Sequence, residues 1–225
     1  MRSLEDCERI LRDVPESRGD REPARLLWAT REGRDVGCAY FHRSPTWSDG
    51  QPRGEVGVFF LISVDPGARL ALAERLTTID LMGSTEYWVT PDDALALWLP
   101  SHRSIGGGGL SDSLWLRLVD LPTAVAERGH AADLDVVVLV HDDVLEDTAG
   151  TWRWTARDGV GALTRTDEPA EVTLDIGDLG AVWLGGQTLG ARHAAGYVTQ
   201  QRPGAVAELD AALRTSVGPT TTIDF

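Results

Sequence analysis

The chain has 225 residues, 42% of them hydrophobic, which is enough to bury a core in one large or two modest domains and too apolar for disorder. Its 21 basic against 35 acidic residues leave a formal net charge of −14. That balance argues against nucleic acid as a partner, because neutralising phosphates takes clustered Lys and Arg; it suits cationic partners such as amines, and plain solubility equally well.

Residues 3–14 have the spacing of a helix: Leu4, Cys7, Ile10, Leu11 and Val14 recur every three or four positions, with Ser3 as N-cap. A charged, breaker-rich connection follows over 15–23. Residues 25–30 and 36–42 predict two short strands around Glu32-Gly33-Arg34. The stretch 44–54, with two prolines, Trp47 and Asp49-Gly50, predicts a loop. Residues 55–64 are more continuously apolar and predict a central strand. Residues 66–79 predict an amphipathic helix with Leu70, Ala73, Leu76 and Thr77 on one side, and 91–99 a shorter one.

The four glycines Gly106 to Gly109 mark a boundary, since no regular element holds such a run cheaply. Beyond it, 114–119 alternates as a strand, with Leu114, Leu116 and Leu118 on one face and Trp115, Arg117 and Val119 on the other. Pro122 suits the first turn of a helix over 123–128. Strands are predicted at 134–140, 151–156, 161–166 and 172–174, with turn chemistry at Asp142-Asp143, Asp158-Gly159 and Asp167-Glu168-Pro169. Short, turn-linked strands suit an antiparallel sheet. Helices over 176–184, 190–195 and 204–214 close the chain. The expected class is α+β in two units, 1–109 and 110–225, each a mostly antiparallel sheet with helices on it.

Cys7 and Cys38 have no paired spacing, so neither a disulfide framework nor a zinc site is indicated. His42, His102, His130, His141 and His193 make no metal-ligand pair, so no metal is expected. A Ser/His/Asp triad lacks its Gly-x-Ser-x-Gly elbow. No apolar run nears the ~20 residues of a membrane span, and the charged opening Met1 to Asp6 has no signal-peptide core. A cytoplasmic protein without a membrane partner is expected.

Several strings, kept in order along the chain, resemble the Eis-type family of GNAT N-acetyltransferases. They are Trp47-Ser48-Asp49-Gly50-Gln51-Pro52-Arg53-Gly54-Glu55-Val56, Ile79-Asp80-Leu81, Pro91-Asp92-Asp93-Ala94-Leu95 and the run from Ser111 through Leu121-Pro122-Thr123-Ala124. Trp152-Arg153-Trp154, Leu174-Asp175-Ile176-Gly177-Asp178, Trp183-Leu184-Gly185-Gly186, Ala195-Gly196-Tyr197-Val198, Pro203-Gly204-Ala205 and the closing Phe225 continue the pattern. The resemblance implies two GNAT-like domains followed by a domain like sterol carrier proteins, and acetyl-CoA-dependent acetylation of lysine or aminoglycoside amines. Residues 1–109 would then be the second GNAT-like domain, N-terminally incomplete, and 110–225 the sterol-carrier-like domain, with no counterpart of the first.

The same resemblance makes the Phe225 carboxylate a general base, with Asp224 beside it as holder of a cationic amine. A free α-carboxyl is a weak base, with an ordinary pKa near ~3.5; burial beside Asp224 would raise it by desolvation and like-charge repulsion. A GNAT pyrophosphate loop needs a strand, a Gly-rich turn and a helix whose N-terminal N–H groups grip the phosphates. Arg103-Ser104-Ile105-Gly106-Gly107-Gly108 has the letters without that context and reads as a linker. No cofactor is therefore expected on this chain alone; the resemblance implies acetyl-CoA for the complete enzyme, with a separate acetyl-CoA-binding domain as partner. Edge strands around 25–42 predict self-association as a homo-oligomer. The alternative is a non-catalytic scaffold, or a lipid or small-molecule module in which Trp115, Trp152, Trp154 and Trp183 line a pocket rather than pack a core.

Overall fold

The structure, a computed structural model, describes residues 8, 11–90, 93–99, 101–106, 109 and 114–219. The chain divides into two compact units, Met1–Gly108 and Gly109–Phe225.

In the first unit, β1 (Arg25–Arg31) and β2 (Arg34–Ser44) form a hairpin. Arg31 pairs with Arg34 across Glu32-Gly33, both at positive φ (52° and 76°). This is a two-residue turn whose twist matches that of the strands. A short ribbon follows, β3 (Trp47–Ser48) and β4 (Gln51–Pro52), around Asp49-Gly50. Next, β5 (Gly54–Ser63) runs antiparallel to β2, α1 (Pro66–Thr77) crosses over, and β6 (Met82–Tyr87) lies parallel to β5. The sheet order is β1-β2-β5-β6. A one-turn helix, α2 (Leu95–Trp98), comes after it. The core joins Leu72 and Leu76 of α1 to Ala39, Phe41, Val56, Val58 and Leu61 of the sheet.

The second unit opens with α3 (Leu121–Glu127), capped by the Asp120 carboxylate on the Thr123 amide and with Pro122 in its first turn. Then come β7 (Leu134–His141), β8 (Gly150–Arg157), β9 (Val160–Arg165) and β10 (Val172–Asp175). They are followed by α4 (Ile176–Val182), α5 (Leu189–Ala194), β11 (Thr199–Gln200) and α6 (Ala205–Leu213). The sheet order is β11-β10-β7-β8-β9. Alternate residues of β7 and β8, namely Val136, Val138, Trp152 and Trp154, face a core completed by Leu121, Val125, Leu179, Val182, Leu189 and Leu209 from the helices.

The α+β class holds in both units, and several finer expectations do not. β10 is parallel to β7, because residues 166–171 carry the chain from the end of β9 across to the far side of β7 instead of turning back beside β9. Residues 114–119 form no strand: Leu118 is buried, while Trp115, unlike the packed Trp152, Trp154 and Trp183, is 85% exposed. The 44–54 loop contains the β3–β4 ribbon, and β2 is an interior strand, leaving β1 and β6 at the edges. β6 and β11 were not expected. The predicted 3–14 helix lies largely outside the described residues.

The buried stripe of α1 also differs from expectation. It is Ala68, Leu72 and Leu76, each 2% exposed, at an i, i+4 spacing, while Leu70 points outward at 42%. Leu72→Ala should therefore cost about 2–5 kcal/mol in urea unfolding, the range for a buried leucine. Leu70→Ala should stay within ~0.5 kcal/mol.

Candidate functional site

The strand–turn–helix context that a phosphate grip requires occurs at the junction of β5 and α1. There the helix N-terminus is already taken. The Asp65 carboxylate accepts the Ala68 amide at 2.9 Å, and Pro66 removes one donor from the first turn. Arg31, at the end of β1, forks onto both Asp65 oxygens at 2.8 and 3.2 Å. The Ala68 amide first, and Arg31 second, hold the Asp65 carboxyl below the usual carboxylate range. An anion approaching this turn meets the Asp65–Arg31 ion pair rather than free amides.

The cleft beside it is closed as well. The parallel pairing of β5 and β6 stops at Val58↔Tyr87 while β5 runs on to Ser63. Such a parting at the C-terminal ends of parallel strands is where α/β proteins bind ligands. Here the Tyr87 hydroxyl donates back to Leu61 O at 3.3 Å. Arg69 lies over the Tyr87 ring, 5.8 Å from its centroid, and pairs with Asp93. The Arg103 to Gly108 motif offers no replacement: its described part follows α2 and forms a single turn at His102–Ser104, with no strand leading in. Neither place, among the described residues, presents a strand-fed helix N-terminus with unclaimed amides of the kind that grips a pyrophosphate.

On the other side of β5, Tyr40 pairs with Phe60 and Phe41 with Val58, so Phe59 is an extra residue in the strand. It stacks on Tyr40 at 5.0 Å and lies tilted against His42 at 5.1 Å. Burial lowers the His42 pKa.

In the second unit, Asp142 accepts four hydrogen bonds, from the Thr148 hydroxyl, the Leu145 and Val144 amides and Arg117. Burial alone would push its carboxyl up; these donors outweigh burial and hold it far below the usual range. Arg117 thereby ties the 114–119 segment to the end of β7. His130 is buried between two partners that fix its tautomer. The Arg128 carbonyl can only accept, so Nδ1 donates to it (3.0 Å); the Trp154 indole can only donate, so Nε2 accepts (3.0 Å). A side chain on Gly161 would overlap this imidazole. Both His130 nitrogens are used structurally, and no cluster of metal-ligating side chains occurs among the described residues.

Phe225 and Asp224 lie outside the described residues. The chain is described as far as Pro219, where the segment after α6 lies on the Gly185-Gly186 loop. Sequence reasoning missed Asp65, although an acidic residue before Pro-Gly at the end of an apolar strand is a legible helix-start signal.

Comparison with known proteins assigns the two halves. An acetyltransferase (GNAT) domain matches residues 2–118 and a sterol carrier protein domain matches residues 121–221. The chain belongs to the GNAT acetyltransferase family. An uncharacterized N-acetyltransferase of Streptomyces avermitilis is 36% identical over 214 residues, covering 94% of this chain and 52% of that protein. N-acetyltransferase Eis of Mycobacterium tuberculosis is 29% identical over 168 residues, covering 73% and 40%. The crystal structure of Eis1 from Mycobacterium abscessus superposes with a TM-score of 0.72 at 27% identity, covering 91% of this chain and 52% of that one. The chain thus spans about half the length of the relatives it matches. Among the described residues no helix is long and apolar enough to cross a membrane.

The His130 geometry predicts a pH dependence. Burial, first, and the Arg128 charge lower its pKa in the folded state, outweighing the hydrogen bond to the Arg128 carbonyl. The unfolded chain therefore binds the extra proton, and stability falls as pH drops below the ordinary histidine value of ~6.5, until the folded value is reached. Urea midpoints at pH 7, 6 and 5 should decline, and His130→Asn should flatten that decline; His42 acts in the same direction in the first unit.

Proposed function

We propose that these residues are the acceptor-side half of an Eis-type GNAT N-acetyltransferase. The reaction is acetyl transfer from acetyl-CoA to a primary amine of lysine or aminoglycoside type. In this reading residues 1–109 are the second GNAT-like domain and 110–225 the sterol-carrier-like domain. The cofactor is held elsewhere, on a longer form of the chain or on a partner chain. The observation that carries the reading is the Asp65 carboxylate, clamped by Arg31 on the helix N-terminus where a phosphate would have to sit. The half-length coverage of the relatives supports it.

The chain's own contribution is to the amine. A primary amine is protonated near neutral pH and attacks only after losing that proton, so the site needs a cation holder and a proton acceptor. Asp224 supplies the first and the Phe225 carboxylate the second, as the two acidic groups that end the sequence. A net charge of −14 favours approach of a cationic acceptor. All 21 basic residues are arginine, so the chain has no lysine of its own to compete as acceptor. Homo-oligomerisation belongs to the same proposal: Leu26, Trp28, Phe59 and Ile62 stand 41–55% exposed on β1 and β5.

Two measurements test this reading. Thermal unfolding of the 225-residue chain should not move with millimolar acetyl-CoA. Binding at a hundredfold over Kd would add about 2.7 kcal/mol and raise Tm by several degrees, and such a rise would contradict the proposal. In an acetylating preparation containing this chain, one glycine added after Phe225 moves the carboxylate. Turnover should fall ~10²–10⁴-fold, the range of a lost general base; unchanged turnover excludes the carboxylate.

A further inference from the structure

Three helix ends of the second unit meet at one side chain. Arg128 is the C-cap of α3. Its Nη1 donates to the carbonyl of Trp183, the C-cap of α4, and its Nη2 to the carbonyl of Leu213, the last residue of α6. The guanidinium lies over the Trp183 indole, 5.0 Å from the ring centroid. No carboxylate pairs with it among the described residues, and its Nε is buried without an acceptor. Its counter-charge is the negative ends of two helix dipoles.

The chain leaving α6 then crosses the Trp183-Leu184-Gly185-Gly186 loop. Gly185 has a left-handed φ of 81°, and a Cβ there would overlap the Thr215 side chain. A Cβ on Gly186 would stand 2.9 Å from Pro219 Cγ. The loop lacks side chains at the two places where the C-terminal segment lies on it. Arg128 fixes the start of both partners, since it holds Trp183 on one and Leu213 on the other.

We infer that Arg128 and the Gly185-Gly186 pair form a seat for the C-terminal segment, and that Arg128 is a positioning residue for the terminal carboxylate. The second clause rests on the proposed role of Phe225; the first does not. The six residues beyond Pro219 span at most about 20 Å, whereas the twelve beyond Leu213 span about 40 Å. Loss of the seat doubles the number of residues between the last held residue and the carboxylate and lowers its effective concentration at any one point, about threefold by the −3/2 power of length.

Nitrogen-15 relaxation on the full chain tests the seat without any activity. Thr215 to Gly218 should show order parameters near ~0.85 in the parent, falling below ~0.6 in Arg128→Met and in Gly185→Ala, with β7 and β8 unchanged. Low values already in the parent, or unchanged values in both variants, overturn the seat. Should Arg128→Met fail to fold, Gly185→Ala, outside helix and core, decides alone. In an acetylating preparation, Arg128→Met should slow turnover threefold or more, and have no further effect once a glycine follows Phe225. Tail order lost without any change in turnover would leave the seat standing and overturn the positioning role.

Discussion

The first unit is organised around a carboxylate placed where a helix begins. Asp65 lies just after β5, starts α1 by capping its first turn, and receives Arg31 from the end of the edge strand β1. One side chain thus joins an edge strand, the central strand and the crossover helix, and α1 brings Leu72 and Leu76 down on the sheet. The same geometry governs function. A helix N-terminus is a ready anion site only while its amides are unclaimed. Here the amide of Ala68 is claimed, a proline stands in the first turn, and Tyr87 with Arg69 fills the parting of β5 and β6.

The second unit solves a related problem with opposite charge. Arg128 is a cation among helix C-termini, satisfied by carbonyls rather than by a carboxylate. Around it the buried polar groups are paired by kind: His130 donates to one neighbour and accepts from another, and Asp142 collects four donors. Such networks fix positions rather than reactivity, since both His130 nitrogens and both Asp142 oxygens are in use.

Much of this was legible in the sequence where local chemistry decides. Glu32-Gly33 and Asp158-Gly159 close hairpins with both residues at positive φ, as an acidic residue before glycine between alternating runs indicates. Asp49-Gly50 makes the same turn, but Trp47-Ser48 and Gln51-Pro52 are too short to alternate, and the ribbon was invisible. Met82 to Tyr87 has no apolar alternation; it becomes a strand because α1 delivers it alongside β5. Leu114 to Val119 alternates well and forms no strand, since a period of two supplies a face without supplying a partner. The outward Leu70 shows the same limit on a helix. For the site, resemblance pointed to Asp224 and Phe225; Asp65 was legible as a helix start, whereas Arg128 acts through backbone groups brought together by folding, which no motif records.

The account's central claim is that the amides at the start of α1 are occupied from within. Amide chemical shifts of Gly67, Ala68 and Arg69, followed while acetyl-CoA is titrated into the 225-residue chain, test it at the atoms concerned. The account predicts no saturable change at these three positions. Saturable shifts there, with Asp65 in place, would contradict it.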